Sequence, residues 1–140
     1  MTDDFDYHGA ILVVEVEHDE IVLVHPEGTT DAPASLPGGS CEPGEHPLDG
    51  AVRIARELTG LEVEITSKLP SFVQEGTPTG TMLAHGLVAR PVGGSLLAQA
   101  PGPDGPVTVH RWDELPDFVS VRVAIHRVRD DYVARRRGVR

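Results

Sequence analysis

Apolar and polar positions fall in blocks along the chain, and the spacing of the apolar ones predicts its elements. Residues 8–25, HGAILVVEVEHDEIVLVH, contain two β-branched-rich runs separated by the polar EHDE. That pattern predicts a hairpin, with Ile11 to Val16 in the first strand and Ile21 to Val24 in the second. PEGTTDAPAS, at 26–35, is turn chemistry throughout and predicts an exposed loop. From there Leu36-Pro37 leads into a Gly38-Gly39 turn. Over about 47–59, Leu48, Ala51, Val52, Ala55 and Leu58 share one stripe at helical spacing. Pro47 suits the first turn of that helix, where its missing N–H costs nothing, and Gly60 is placed to cap the end. Strands are expected from Leu61 to Ile65, from Leu69 to Val73, from Thr81 to Arg90 and over VTVHRW at 107–112. Pro70 makes the second of these an edge or a strand start, and Gly86 weakens the third. The Gly/Pro-rich residues 91–106 read as a loop around a short strand at Leu96-Leu97. Val121, Ile125, Val128 and Tyr132, at i, i+4, i+7 and i+11, predict one apolar face of a C-terminal helix, with Asp113 or Asp117 as its cap. Strands interspersed with two helices, without a repeat or a long linker, imply one α/β layered domain over 1–140.

Composition narrows the setting. A chain of 140 residues is long enough to bury a real core, and 39% hydrophobic with 24% charged residues is ordinary for a globular domain. No apolar run approaches the roughly 18–20 residues that span a bilayer, so no membrane partner is expected. The acidic start MTDDFDYHGA resembles neither a signal nor a transit peptide. Cys41 is the sole cysteine, which excludes an intrachain disulfide, and a cytoplasmic location is expected. The net charge is −10, but residues 122–140 hold seven arginines against Asp130 and Asp131, which leaves −15 on the rest. An acidic body does not suit general nucleic-acid binding, which depends on neutralising phosphates. The arginine run reads first as a solvated helix end, where cations also suit the helix dipole, and second as a hold on phosphate or an acidic partner.

The candidate chemistry lies in LPGGSCEPGEHPLDGAVRIARELTGLEV, residues 36–63. Gly38-Gly39 lets a backbone approach a ligand closely with its N–H groups exposed. Glu42-Pro43-Gly44-Glu45 places acids in a turn just ahead of the helix, and Arg53 and Glu57, at i and i+4, share a helix face. Acids beside a glycine turn are one way to hold magnesium against a diphosphate, hard oxygen ligands for a hard cation.

This segment resembles the Nudix box: Gly, five residues, Glu, seven residues, then Arg-Glu-apolar-x-Glu-Glu-x-Gly-apolar. Gly39, Glu45, Arg53, Glu57, Gly60 and Leu61 match its fixed positions. The opening hairpin with LPGG and the downstream HRWDELPD are also similar to flanks of Nudix domains, so the resemblance runs from about residue 8 to 134. It leaves an arginine-rich helix end at 135–140. The resemblance implies an α/β/α sandwich with a mixed sheet and a loop–helix–loop at the site. It further implies a metal-dependent hydrolase of a nucleoside diphosphate linked to another group, using Mg2+ or Mn2+, and a homodimer is common among such proteins. On this reading Glu57 and Glu45 hold the metal, Arg53 orients the acids, and Gly38 and Gly39 shape the substrate site.

Two positions depart from the pattern. Ile54 and Leu58 stand where the family has glutamates, so Glu57 alone remains of three carboxylates that at i, i+3 and i+4 would share a face. Asp49 is about 12 Å from Glu57 along the axis at ~1.5 Å per residue, too far to share one ion. Glu45 can fold back from the loop, and Glu75 or Asp104 can enter from another. Weakened metal binding and altered activity are therefore expected. The alternative is a catalytically silent binding, regulatory or interaction module on the same fold. Leu58 lies on the apolar stripe and reads as packing. Ile54 falls outside that stripe and suggests a dry neighbouring surface, a subunit contact or an apolar ligand. His85 and His110 read as ordinary packed or exposed histidines before pocket residues, and Cys41 as a small residue before a reactive thiol. Phe72 and Trp112 are candidates for stacking on a base, with Trp112 read first as a core anchor. The loops at 26–35, 75–80 and 91–106 carry no readable specificity code.

Overall fold

The computed structural model describes residues 5–17, 19–25, 33–77, 80–94, 107–116, 118 and 123–138. Its organising element is strand β1 (Tyr7–Val16), buried on both faces from Gly9 to Val14. Successive strand side chains point to opposite faces. Ile11 and Val13 therefore enter one apolar cluster, while Ala10, Leu12 and Val14 enter another. A strand covered on both sides needs no polar alternation, and this is why AILVV reads as a continuous apolar run.

Strand β2 (Glu20–Val24) folds back on β1, and Asp19 takes a positive φ of 61° in the turn between them. Later in the chain come β3 (Gly38–Ser40), helix α1 (Pro47–Thr59), β4 (Leu61–Lys68), β5 (Phe72–Thr77), β6 (Gly80–Gly94), β7 (Val107–Arg111) and helix α2 (Val123–Arg136). The sheet runs β4-β6-β1-β2-β7, with β3 also paired to β1 and β5 to β6. Among the described strands only β1 and β6 run parallel, so the sheet is mixed. Side chains of α1 complete one apolar cluster and those of α2 the other, giving the expected sandwich.

Helix α1 has the predicted bounds for local reasons. His46 Nδ1 accepts from the Leu48 N–H at 3.1 Å, Pro47 opens the first turn, and Gly60 caps the end with φ 81° and a bond to the Arg56 carbonyl. Its buried face differs from the expected stripe. Val52 is 36% exposed, whereas Gly50, Ala51, Ile54, Ala55 and Thr59 are buried. At about 100° per residue the buried arc is rotated toward Ile54 and away from Val52. Ile54 is thus a core residue at 4% exposure, and the dry neighbouring surface it meets belongs to this chain's own core.

Several other expectations shift. Ser35 pairs with Val24 and is buried, so the predicted exposed loop is anchored at its end, while 26–32 lie outside the described residues. The strand expected from Leu69 starts at Phe72, because Pro70 has no N–H for a ladder. The loop expected from residue 91 starts later, since β6 continues to Gly94, and 95–106 (with Leu96, Leu97 and Asp104) lie outside the described residues. Asp113 does not cap α2. It accepts both bonds of the Arg111 guanidinium in the turn after β7, and Asp117 and Val121 are not described. The face of Ile125, Val128 and Tyr132 is buried as predicted.

The arginine run is tied down more than a solvated end would be. Arg135 donates to Ser67 Oγ at 2.9 Å and to the Lys68 carbonyl at 2.7 Å. Arg136 bonds Glu15 and Asp19 and lies 5.1 Å over the Trp112 ring. Trp112 thus packs against the core with a cation on its face, and Phe72, buried at 7% exposure, carries Arg127 at 4.4 Å. Gly86 sits where α2 crosses β6. A Cβ there would lie 3.2 Å from both Leu69 Cβ and a Val128 methyl, tighter than ordinary packing. Gly86→Val is expected to lower the free energy of unfolding by about 1–3 kcal/mol through overpacking. Urea denaturation measures it, and an unchanged midpoint would show that α2 does not press on this strand.

Candidate functional site

The glycine turn is strand β3. Gly38, Gly39 and Ser40 pair with Ile11, Ala10 and Gly9, and the Leu12 and Cys41 N–H groups bond Pro37 and His8 carbonyls at 2.8 and 2.9 Å. The box loop is therefore fastened to β1 at both ends before it enters α1.

Arg53 joins the pieces. Its Nε donates to Glu45 Oε2 and its Nη2 to Glu45 Oε1, both at 3.0 Å, a bidentate pair. Nη2 also donates to the Ser40 carbonyl and Nη1 to Glu57 Oε2, both at 3.1 Å. The Glu42 N–H adds a further bond to Glu45 Oε1 at 3.0 Å. Arg53 first, then the Glu42 backbone, hold the Glu45 carboxyl below the usual carboxylate range, and the same bonds push Arg53 up. Glu45 and Glu57 are brought together, but a guanidinium stands between them. The Glu57 side chain remains 56% exposed.

Ile54 occupies the inner side of this arrangement. A Cβ built on Gly39 would be 3.5 Å from Ile54 Cδ1, so the aliphatic chain lies directly against the glycine backbone. Leu58 is half-buried and packs on the same cluster. Cys41, also buried there, has its thiol pushed up by burial and by Glu45, which disfavours the thiolate. His110 lies on β7 with Nε2 2.8 Å from Thr108 Oγ1, and burial pushes it down.

Beside Gly38–Ser40 opens a cleft of about 490 Å3. Ile11 and Met82 line it from the sheet, Gln74 to Thr77 from the end of β5, and Val123 to Ile125 from the start of α2. The volume is typical of small-molecule sites. Glu75 is thus placed at the cleft, but Glu57, Phe72 and Trp112 do not line it. The walls from β6, Gln74 and α2 are absent from the sequence reading, because they depend on β1 pairing with β6 some 70 residues away.

The NUDIX domain family model matches residues 6–134. The chain belongs to the Nudix family. Its fold is similar to a UDP-X diphosphatase at 17% identity and a TM-score of 0.72, over 98% of this chain and 66% of that one. It thus spans just under two thirds of that relative's length. It is also similar to an ADP-ribose pyrophosphatase from Streptococcus suis, at 20% identity and a TM-score of 0.66, covering 94% of this chain and 91% of that. A Nudix hydrolase from Nitrosomonas europaea matches at 22% identity and a TM-score of 0.70, over 95% and 73% of the two chains. At these identities the likeness shows the fold.

Nudix hydrolases generally use a divalent metal. The side chains present do not fit such an ion held by the protein alone. Among the described residues no three His, Cys, Asp or Glu are grouped to hold one. Both Glu45 oxygens are engaged, Glu57 is bonded to Arg53, and aliphatic side chains occupy the other two box positions.

Two consequences are measurable. Ile54→Ala is expected to cost about 2–5 kcal/mol of stability, as for a buried core residue; a loss within experimental error in denaturant unfolding would put Ile54 outside the core. Glu45 ionises at lower pH folded than unfolded. Its contribution is therefore complete above its ordinary value of 4.5 and is lost as pH falls through the folded value. Arg53→Met is expected to flatten the stability-versus-pH curve below about pH 5. A curve merely displaced, with its slope intact, would contradict the pairing.

Proposed function

We propose that this chain binds a nucleoside diphosphate linked to another group and hydrolyses it with weakened activity. The observation that carries the reading is Ile54. A position where the Nudix pattern has a carboxylate is a buried aliphatic side chain against Gly39, while the cleft beside Gly39 stays open.

Binding and chemistry separate on this basis. The apolar surface of Ile11, Met82 and Ile125 suits a flat heteroaromatic group, with Gln74 and Ser40 available to bond its edge. No described lining residue is basic, so the diphosphate belongs at the Gly38–Ser40 edge of the cleft, where the glycines let phosphate oxygens approach the backbone. The activities named for the UDP-X diphosphatase and the ADP-ribose pyrophosphatase support that ligand class. In the box, Arg53 and Glu45 serve to hold the loop in shape, and Glu57 is the exposed carboxylate left for chemistry. Glu75 is the acid that lines the cleft, and it favours residual hydrolysis over complete loss.

The test measures turnover and binding separately. Purified protein with Mg2+ or Mn2+ is given nucleoside triphosphates, ADP-ribose and dinucleoside polyphosphates, and nucleotide release is followed. Slow turnover that disappears in Glu57→Gln is expected. The double variant Ile54→Glu, Leu58→Glu is expected to exceed wild type by more than the roughly 10- to 100-fold that outer-shell partners of a metal control. Its folding is checked by a melting temperature that rises with Mg2+, since an ion bound only to the folded state stabilises it. Wild-type turnover matching that of the folded double variant would overturn the weakened-activity reading. Binding of ADP-ribose unaffected by Met82→Asp would remove the ligand from the cleft.

A further inference from the structure

A second cavity, of about 160 Å3, lies at the start of α1 and shares no lining residue with the cleft. Lys68, Ser71, His85 and His46 supply its polar lining, and none of its described lining residues is acidic. That absence stands out in a chain of net charge −10.

The convergence has a local cause. Leu61, Val63 and Ile65 of β4 face the α1 side, but the ladder slips by one residue between Ile65 and Ser67. A bulge re-aims the side chains beyond it. Lys68 thereby pairs with Leu87, on the face that also carries His85. Two strands and the box loop thus direct polar groups into one small space.

His85 is wired into a chain of bonds. Its Nε2 lies 2.9 Å from His8 Nδ1 and its Nδ1 lies 3.3 Å from Ser71 Oγ. The two imidazoles are stacked, with centroids 5.1 Å apart, and Phe5 meets His8 edge-on at 4.9 Å. If His85 carries both protons, it donates to His8 and to Ser71, which leaves the Ser71 O–H free to donate into the cavity. The groups facing His85 are His8 from β1, Lys68 from β4 and His46 from the box loop. Burial first, and then these neighbours, push its titration down. An anion in the cavity would relieve the repulsion and favour the charged ring.

We infer that this cavity binds a phosphate group, free or at the end of an ester, between the Lys68 ammonium, the Ser71 hydroxyl and the His85 ring. The volume suffices, since a cavity of about 150 Å3 holds a benzene molecule. An oxyanion also accepts from Lys68 and Ser71 at once beside the His85 ring, as an apolar ligand would not.

The test follows the His85 ring signals by NMR while sodium phosphate, or glycerol phosphate in a second arm, is added at ionic strength held constant with sodium chloride. Saturable shifts at His85, with little change at His110, are expected. Binding should tighten as pH falls from about 8 to 6, and saturating phosphate should raise the pH at which His85 titrates. Lys68→Ala and Ser71→Ala, both at exposed positions, should each weaken binding, the former by about tenfold or more. Saturation by both phosphates assigns the site to a phosphate terminus, and by inorganic phosphate alone to the free ion. Shifts that do not saturate, or that persist unchanged in the folded Lys68→Ala protein, overturn the inference.

Discussion

One guanidinium holds the functional loop in shape. Arg53 reaches from the middle of α1 to the Ser40 carbonyl, to both oxygens of Glu45 and to Glu57, so strand, turn and helix meet at one side chain. A planar fork that always carries its charge suits this geometry as a lysine would not. Because the loop is also fastened to β1 by β3, the glycine backbone at 38–39 stays open beside the cleft. The same bonds commit Glu45 to the scaffold.

The core reaches the same region from beneath. In the Nudix pattern position 54 is polar and serves chemistry, whereas here it extends the apolar cluster of Ala51, Ala55 and Leu12 up to the glycine backbone. The cleft and the box acids come from different parts of the fold: the cleft from β1, β3, β5, β6 and α2, the acids from α1 and the loop before it. A chain can therefore lose carboxylates from the helix and keep a shaped cavity.

Local signals were legible in the sequence, and non-local ones were not. Pro47, Gly60 and the i, i+4 pair of Arg53 and Glu57 depend on residues within a few positions, and each appears as read. The double run of β1 and β2 and the buried face of α2 were equally plain. The orientation of α1 was misread, because Val52 and Ile54 are both aliphatic and only the sheet beneath decides which one is covered. Of the cleft lining, the sequence offered Gly38, Gly39 and Glu75 but not the walls around them. Ile11, Ser40, Gln74, Met82 and Ile125 become neighbours only through the parallel pairing of β1 with β6, and the bulge that turns Lys68 toward His85 leaves no mark in the sequence.

The central claim is that the box holds no divalent ion by its own side chains. Electron paramagnetic resonance of Mn2+ tests it most directly, since the free aqueous ion gives a sharp signal that fades on binding. The account predicts full free-ion intensity when wild-type protein is added to equimolar Mn2+ without nucleotide. A signal quenched by wild type and recovered with Glu57→Gln would contradict it, and would show that one exposed carboxylate and its surroundings are enough.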